Sequence, residues 1–291
     1  MQSGSQGASG QPRDTAFGWP RDFLGNRFVY AVISQRARGL AIGVNLNSQK
    51  YCNFDCVYCE VQRGQPPAEI PVDLNALSAE LAGLLELAGG GGLRQLPRFR
   101  KFPADLLELK EVALSGDGEP TLCPNFDQAV EAVLRVRSQQ PRFLKIVLVS
   151  NTTGLFLPHV QRGWRQLAQE DEVWLKLEAG TQSYMQLVNR PQNLSLKNVM
   201  ANILQIGRER PVVIQSLFPL LAGEEPSPAE IDSYVHRLQE LIAGGAQISF
   251  VQIYSAHRAA QDPTCRHLPL SSLSNIARRV RENTGLRAEV F

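Results

Sequence analysis

Six times along this chain a short β-branched run is followed by a stretch whose apolar residues recur every three or four positions. Such alternation builds a parallel sheet with right-handed helical crossovers. The runs are AIGVNLN (41–47), KEVALSG (110–116), KIVLVS (145–150), EVWLKLE (172–178), PVVIQSLF (211–218) and QISFVQIY (247–254). The first helical stretch carries Leu74, Leu77, Leu81, Leu84, Leu85 and Ala88, with Asp73 placed to cap it and Gly89 to stop it. Another carries Leu196, Val199, Met200, Ile203 and Leu204, ending at Gly207; the rest span 125–138, 158–169, 228–243 and 271–283. A doubly wound sheet covered on both faces should read apolar throughout. Here Trp174, Lys176 and Glu178 share a strand face, and Gln215, Gln252, Tyr254, Asn45 and Asn47 are similarly placed. A concave interior lined by polar groups explains this, because a bound polar ligand supplies the partners they need. The expected fold class is therefore α/β, a partial (βα)6 TIM-like barrel of parallel strands, open on one side, with its active groups at the C-terminal strand ends.

Residues 21–291 are expected to form one domain with a core of about 40–255, preceded by a disordered tail over 1–20. That tail is polar and rich in Ser, Gly and Gln, so it reads as neither a secretory signal nor an anchor. Residues 89–105, four glycines followed by LRQLPRFRKFP, read as an extended surface loop. In 291 residues the apolar share is 43% and the charged share 20%, which excludes a disordered or fibrous chain. With Lys+Arg 30 against Asp+Glu 28 the formal charge is only +2, so there is no global drive toward nucleic acid or a membrane surface. No apolar run approaches the ~18 residues of a spanning helix, so the expectation is a cytoplasmic protein with no membrane partner.

Five cysteines are too few for a disulfide scaffold, and three of them fall within eight residues. Cys52, Cys56 and Cys59 stand in NSQKYCNFDCVYCEV, directly after the first strand, with the spacing CxxxCxxC. Three thiolates this close can converge on one metal or cluster. Closed structural zinc wants four ligands, and no CxxC or HxxxH pair lies nearby to complete a set. A cubane normally takes four cysteines, so three leave one iron open to an external ligand. Two readings follow, an iron-sulfur site with an open position or a zinc-stabilised binding module without catalysis. After the second strand stands SGDGEPT, with Gly116, Asp117, Gly118 and Glu119. Glycines let a backbone approach a ligand closely and a carboxylate there can hold an ammonium group. A glycine-rich turn before a helix whose first turn favours acids has the same composition.

The CxxxCxxC loop, with Tyr58 just before its last cysteine, resembles the signature of radical S-adenosylmethionine enzymes, and SGDGEPT resembles that family's glycine-glycine-glutamate segment. The resemblance implies a 4Fe-4S cluster held by Cys52, Cys56 and Cys59, whose open iron is chelated by the amino and carboxylate groups of S-adenosylmethionine. One-electron reduction of the sulfonium then releases methionine and a 5'-deoxyadenosyl radical that abstracts hydrogen from a substrate, an oxidoreductase-type chemistry. It also implies that Gly116, Asp117, Gly118 and Glu119 meet the methionyl amine, that Asn151, Lys176 and Glu178 meet ribose hydroxyls and the methionyl carboxylate, and that Gln215 and Gln252 meet ribose or adenine. The Tyr58 backbone would lie near the adenine amine. The implied partner is an electron donor such as flavodoxin or ferredoxin.

The wording of SGDGEPTL, SNTT, WLKLEAG and VNRP, spread over about residues 40–255, is most similar to the group containing archaeal-type wyosine-forming tRNA enzymes. Those carry further cysteines upstream for a second cluster, whereas residues 1–51 here contain none. Only the single-cluster machinery is therefore carried over, with an unknown substrate, and a tRNA or other RNA base modifier is the alternative. Arg94, Arg98, Arg100 and Lys101, interleaved with Phe99 and Phe102, would serve it by gripping phosphates and stacking bases, and Arg278, Arg279 and Arg281 add to the basic surface. Cys123 is a candidate hydrogen donor or adduct former, or else a small buried hydrophobe. Cys265, with His257 and His267 near it in sequence, reads as part of a solvated loop.

Overall fold

The computed structural model describes residues 23–61 and 70–291, so the expected tail lies outside the described residues. The strands are β1 (Val29–Ser34), β2 (Gly39–Val44), β3 (Leu109–Leu114), β4 (Lys145–Ser150), β5 (Glu172–Lys176), β6 (Val212–Leu217), β7 (Pro219–Leu221), β8 (Ile248–Tyr254), β9 (Cys265–His267) and β10 (Ala288–Val290). The helices are α1 (Leu74–Gly89), α2 (Phe126–Ser138), α3 (Pro158–Trp164), α4 (Gln182–Val188), α5 (Leu196–Glu209), α6 (Pro228–Ala243) and α7 (Leu270–Thr284). Eight strands form one sheet in the order β1-β2-β3-β4-β5-β6-β8-β10, and β7 and β9 form a separate antiparallel pair.

All six expected strands are present and run parallel, as the strand-helix alternation requires. The sheet is wider than six strands. β1 joins β2 as an antiparallel hairpin, and β10 pairs with β8 after α7. The sheet curls until the β1–β2 turn meets the opposite edge, where Arg38 Nη2 lies 3.0 Å from Glu289 Oε2. The result is the curled half-barrel expected from the polar strand faces.

Local signals place the helices. Asp73 accepts from the amides of Asn75 and Ala76, Ser195 forms a capping box with Asn198, and Ser227 accepts from Glu230 ahead of Pro228. The third helix ends at Trp164, short of the expected 169, where the Trp164 indole donates to the Leu155 carbonyl. α4 had no counterpart in the periodicity, because seven residues hold less than two apolar repeats.

In a parallel ladder, residues paired in register share a face, so the concave surface can be read in tiers. Its lowest tier is charged: Lys145 Nζ lies 2.9 Å from Glu172 and 3.6 Å from Glu111. Above it Ala113, Val147, Trp174 and Val213 make a small apolar core of their own, apart from the large one between sheet and helices. Next come Lys176, Gln215 and Gln252, partners in successive ladders. Arg36, from the β1–β2 turn, reaches inside and lies over the rings of Trp174 and Tyr254, at 5.8 and 4.8 Å from their centroids.

Residues 89–105 depart from the extended loop expected of them. Short 3-10 turns occupy Gly92–Gln95 and Asp105–Leu107, and Leu93 and Phe99 are buried. Phe99 packs edge-on against Phe23 at 6.1 Å, and Arg98 lies over the Phe23 ring. The apolar members of the segment fold under it, so Phe99 presents no face for a base to stack on. No helix among the described residues is long and apolar enough to cross a membrane.

Candidate active site

The cysteine loop follows β2 at the C-terminal edge of the sheet. It has little regular structure of its own and is pinned by three distant segments. The first is SGDGEPT. A Cβ on Gly118 would stand 1.9 Å from the Tyr51 carbonyl oxygen, and the Glu119 amide donates to that same oxygen at 3.1 Å. A Cβ on Gly116 would meet Asn45 Oδ1 at 2.4 Å. These glycines therefore let one loop lie against another. Asn45 in turn donates to Asp117 at 2.7 Å.

The second is VNRP, beside which the cysteine loop runs almost as an added strand. Asp55 and Val57 donate to the carbonyls of Asn189 and Val188 at 3.1 and 2.9 Å, and Gln192 donates to Asn53 at 2.9 Å. The third is the connection after β8, where the Gln261 amide donates to the Cys59 carbonyl at 2.9 Å, Arg258 pairs with Glu60, and Asp262 pairs with Arg190.

All five cysteines are thiols. Cys56 is buried, and burial pushes its thiol up to about 12. Its sulfur accepts from Asn189 Nδ2 at 3.6 Å, while Cys52 Sγ accepts from the Phe54 amide at 3.5 Å and from Asn151 Nδ2 at 3.8 Å. The described residues contain no group of three or more His, Cys, Asp or Glu able to hold a single metal ion. A cubane makes a different demand, because its cysteines bind separate irons and need not converge on one point.

Around Cys56, Tyr58, Lys176, Glu178 and Asn189 form one network. The Tyr58 hydroxyl and Asn189 Nδ2 both donate to Glu178 Oε2, the latter at 2.5 Å, and Lys176 Nζ donates to the Tyr58 oxygen at 3.2 Å. Burial disfavours the Lys176 ammonium, but the adjacent Glu178 overrides this and holds its pKa above the usual lysine range. The Tyr58 phenol is held well above its ordinary value, first by burial and then by Cys56 and Glu178.

A second network centres on Glu119. Its carboxylate accepts from the Thr121 amide and hydroxyl at 3.2 and 2.6 Å, from Ser150 Oγ at 2.7 Å and from the Asn151 amide at 2.7 Å. Burial raises its carboxyl pKa against the pull of those donors. The side chain thus ties the end of β4 to the SGDGEPT segment. Next to it Thr152 has φ 77, a left-handed conformation unusual for a β-branched residue.

Four buried polar atoms at this edge have no hydrogen-bond partner: Asn47 Oδ1, Thr152 Oγ1, Glu178 Oε1 and Gln252 Nε2. An unmet buried group costs about 1–3 kcal/mol, so such atoms mark where a polar ligand or water belongs. Gln215 Nε2 donates to Gln252 Oε1 at 3.0 Å, leaving the Gln252 amide nitrogen for another acceptor.

No family model matches the chain. It is 22% identical over 187 residues to a UPF0026 protein of Helicobacter pylori, an alignment covering 62% of this chain and 52% of that protein. The chain thus spans about half the length of the curated relatives it matches, and their shared name states no activity. Among solved structures, a radical SAM methyltransferase from Sphaerobacter thermophilus superposes with TM-score 0.61 at 14% identity, covering 90% of this chain and 68% of the other. TYW1 with a lysine-pyruvate adduct bound superposes with TM-score 0.53 at 15% identity, covering 86% and 75%. The fold is that of the radical S-adenosylmethionine enzymes.

Within this radical S-adenosylmethionine fold, the residues singled out in the sequence fall into two touching groups. Cys56, Tyr58, Lys176 and Glu178 share one, with Gln215 and Gln252 beside Lys176 in register. Gly116, Asp117, Gly118, Glu119 and Asn151 lie in the other, which meets Cys52 through Asn151. Cys123 makes none of the hydrogen bonds of either group, although it lines a cavity with Asn47 and Tyr51. It is buried in the large core, donates to Asn125 Oδ1 at 3.3 Å, and has its thiol pushed up to about 11 by burial. Cys265 is likewise buried, packed with Val57 and Val188 rather than solvated. Sequence reasoning gave no role to Asn53, Ser150, Thr153 or Asn189. The quoted motifs SNTT and VNRP contained three of the four.

Proposed function

We propose that this chain is a radical S-adenosylmethionine enzyme that cleaves the cofactor reductively and uses the resulting radical to abstract hydrogen from a substrate still to be identified. The observation carrying this reading is a pinned three-thiol loop at the C-terminal mouth of a curled parallel sheet, faced by buried polar atoms that lack partners. The residues fit the cofactor set. Cys52, Cys56 and Cys59 would hold a 4Fe-4S cluster, which when bound supplies the electron for cleavage. Lys176, Gln215 and Gln252 would donate to ribose and carboxylate oxygens, and Glu178 Oε1 would accept from a hydroxyl.

Backbone groups of Gly116, Asp117 and Gly118 would meet the methionyl amine, with Glu119 holding them in place through β4. The apolar tier of Ala113, Val147, Trp174 and Val213 below would keep water from the reacting carbon. Residues 21–291 would act as one domain in the cytoplasm, reduced by a small electron carrier of the flavodoxin or ferredoxin kind. RNA modification loses Phe99 to the core, and keeps the half-buried Phe102 and the exposed Arg94, Arg100, Lys101, Arg278 and Arg281.

The test is anaerobic reconstitution with iron and sulfide, followed by reductant and S-adenosylmethionine. The expected product is 5'-deoxyadenosine, absent from a Cys56→Ala control. Equal amounts from both proteins would refute the activity. Salt-sensitive tRNA binding that Arg100→Glu removes would restore the RNA reading.

A further inference from the structure

The cofactor reading gives Asn189 no role and gives Asn151 only a contact with the cofactor, yet both are buried and both aim an amide at a cysteine of the loop. Their orientations are fixed. Asn189 Nδ2 donates to Glu178 Oε2 at 2.5 Å, an oxygen already accepting from the Tyr58 hydroxyl, so the nitrogen rather than the oxygen of the amide must face that way. Its second hydrogen is left for Cys56 Sγ, at 3.6 Å. Asn151 Nδ2 donates to Asn53 Oδ1 at 2.9 Å, while its own oxygen accepts from the amide and hydroxyl of Thr153 at 3.1 and 2.7 Å. Flipping it would set an NH2 against the Thr153 amide, so here too the nitrogen faces the sulfur, Cys52 Sγ at 3.8 Å.

Two amide donors, each locked by an oxygen partner, thus point at two of the three thiols. We propose that Asn189 and Asn151 are positioning residues that raise the reduction potential of the iron-sulfur cluster by N–H···S hydrogen bonds to Cys56 and Cys52. The inference rests on the cluster assignment made above. Reduction adds one electron, whose charge spreads onto the ligating sulfurs, and a donor stabilises the more negative state more strongly. The Phe54 amide, 3.5 Å from Cys52 Sγ, acts in the same sense but cannot be removed by substitution. Asn189 is therefore the decisive position, since its backbone carbonyl, which holds Asp55, survives a side-chain change.

The experiment is an EPR-monitored redox titration of the reconstituted protein and of Asn189→Leu, which keeps the branched four-atom shape and removes the donor. The expected result is unchanged iron and sulfide with a lower midpoint potential, about a tenfold weaker reduction or ~59 mV for one electron. A second measurement does not depend on the variant folding. In wild-type protein carrying 15N-asparagine, pulsed EPR of the reduced cluster should detect nitrogen coupling. If the wild type binds iron and sulfide but shows no such coupling, or if Asn189→Leu leaves the potential unchanged, this inference fails and the assignment of the cofactor stands. If the wild type binds neither iron nor sulfide, the proposed function itself fails and the inference goes with it.

Discussion

Gly118→Ala measures how closely the SGDGEPT segment presses on the cysteine loop. Gly118 has no left-handed φ, so the substitution adds no backbone strain and acts by sterics alone. The new Cβ would lie 1.9 Å from the Tyr51 carbonyl oxygen and 2.7 Å from Asn47 Cβ, where ordinary contact starts at 3.4 Å. The segments must therefore part by about 1.5 Å (3.4 − 1.9), and the obstacle is backbone that cannot rotate aside. That movement also carries the Glu119 amide, now 3.1 Å from the same oxygen, out of hydrogen-bonding range. Overpacking costs about 1–3 kcal/mol and the lost bond about 1 more, a total near 2–4 kcal/mol, or ~3–7 °C in Tm for a chain of this size. Urea unfolding of the metal-free protein reads the loss, and iron per chain after reconstitution reads its effect on the thiols. A Gly118→Ala protein within 0.5 kcal/mol of wild type (~0.5, the scatter of ordinary surface changes) and binding full iron would show that the two loops do not touch as described.

The other expectations run from stability to reactivity. Gly83 stands on the exposed side of α1 with nothing within 4 Å of an added Cβ, so Gly83→Ala should stabilise the protein by about 0.5–1 kcal/mol in the same urea assay. Burial raises the Glu111 carboxyl above its ordinary value despite Lys145, so the stability its protonated form confers is complete below pH ~4.5 and lost as pH rises through the folded pKa. Glu111→Gln should accordingly melt higher than wild type at neutral pH, with the gap closing toward pH ~4; a gap that widens in acid reverses the sign and defeats the argument. Cys123, with a pKa near 11, is about one part in a thousand thiolate at pH 8, so mass-mapped alkylation should find it nearly inert in the folded protein. Hydrogen exchange on the metal-free protein should show Asp55, Val57, Glu119, Gln192 and Gln261 amides protected, whereas free-peptide rates would mean the loop is ordered only by what it binds.

The six parallel strands were legible because each is a largely apolar run of at least five residues, with a helical apolar repeat in the chain before the next such run. β10, with three residues, is too short to show a period. β1 carries the apolar run VYAVIS, but its partner is reached by a hairpin, so it leaves no strand-helix unit to recognise. The charged and aromatic alternation around Phe99 was visible while its inward turn was not, since composition does not say which side of a loop faces the core. At the site, spacing revealed the cysteines because their contacts are local. Asn189 meets Cys56 across 133 positions, and a contact of that range writes no spacing into one sequence.

That difference explains how a loop with almost no regular structure can be held in one place. Phe54, Cys56, Val57 and Val61 bury their side chains, but the backbone between them finds its partners in chain far away. Two of the three pinning segments, SGDGEPT after β3 and the connection after β8, follow parallel strands, and parallel strands deliver both to the same edge of the sheet; VNRP reaches it from the short α4. An antiparallel arrangement would send alternate loops to the opposite end and leave the cysteines facing one wall. The loop's geometry is thus a property of the whole sheet, and a change at Gly118 or Asn189 acts on the thiols as directly as one inside CxxxCxxC.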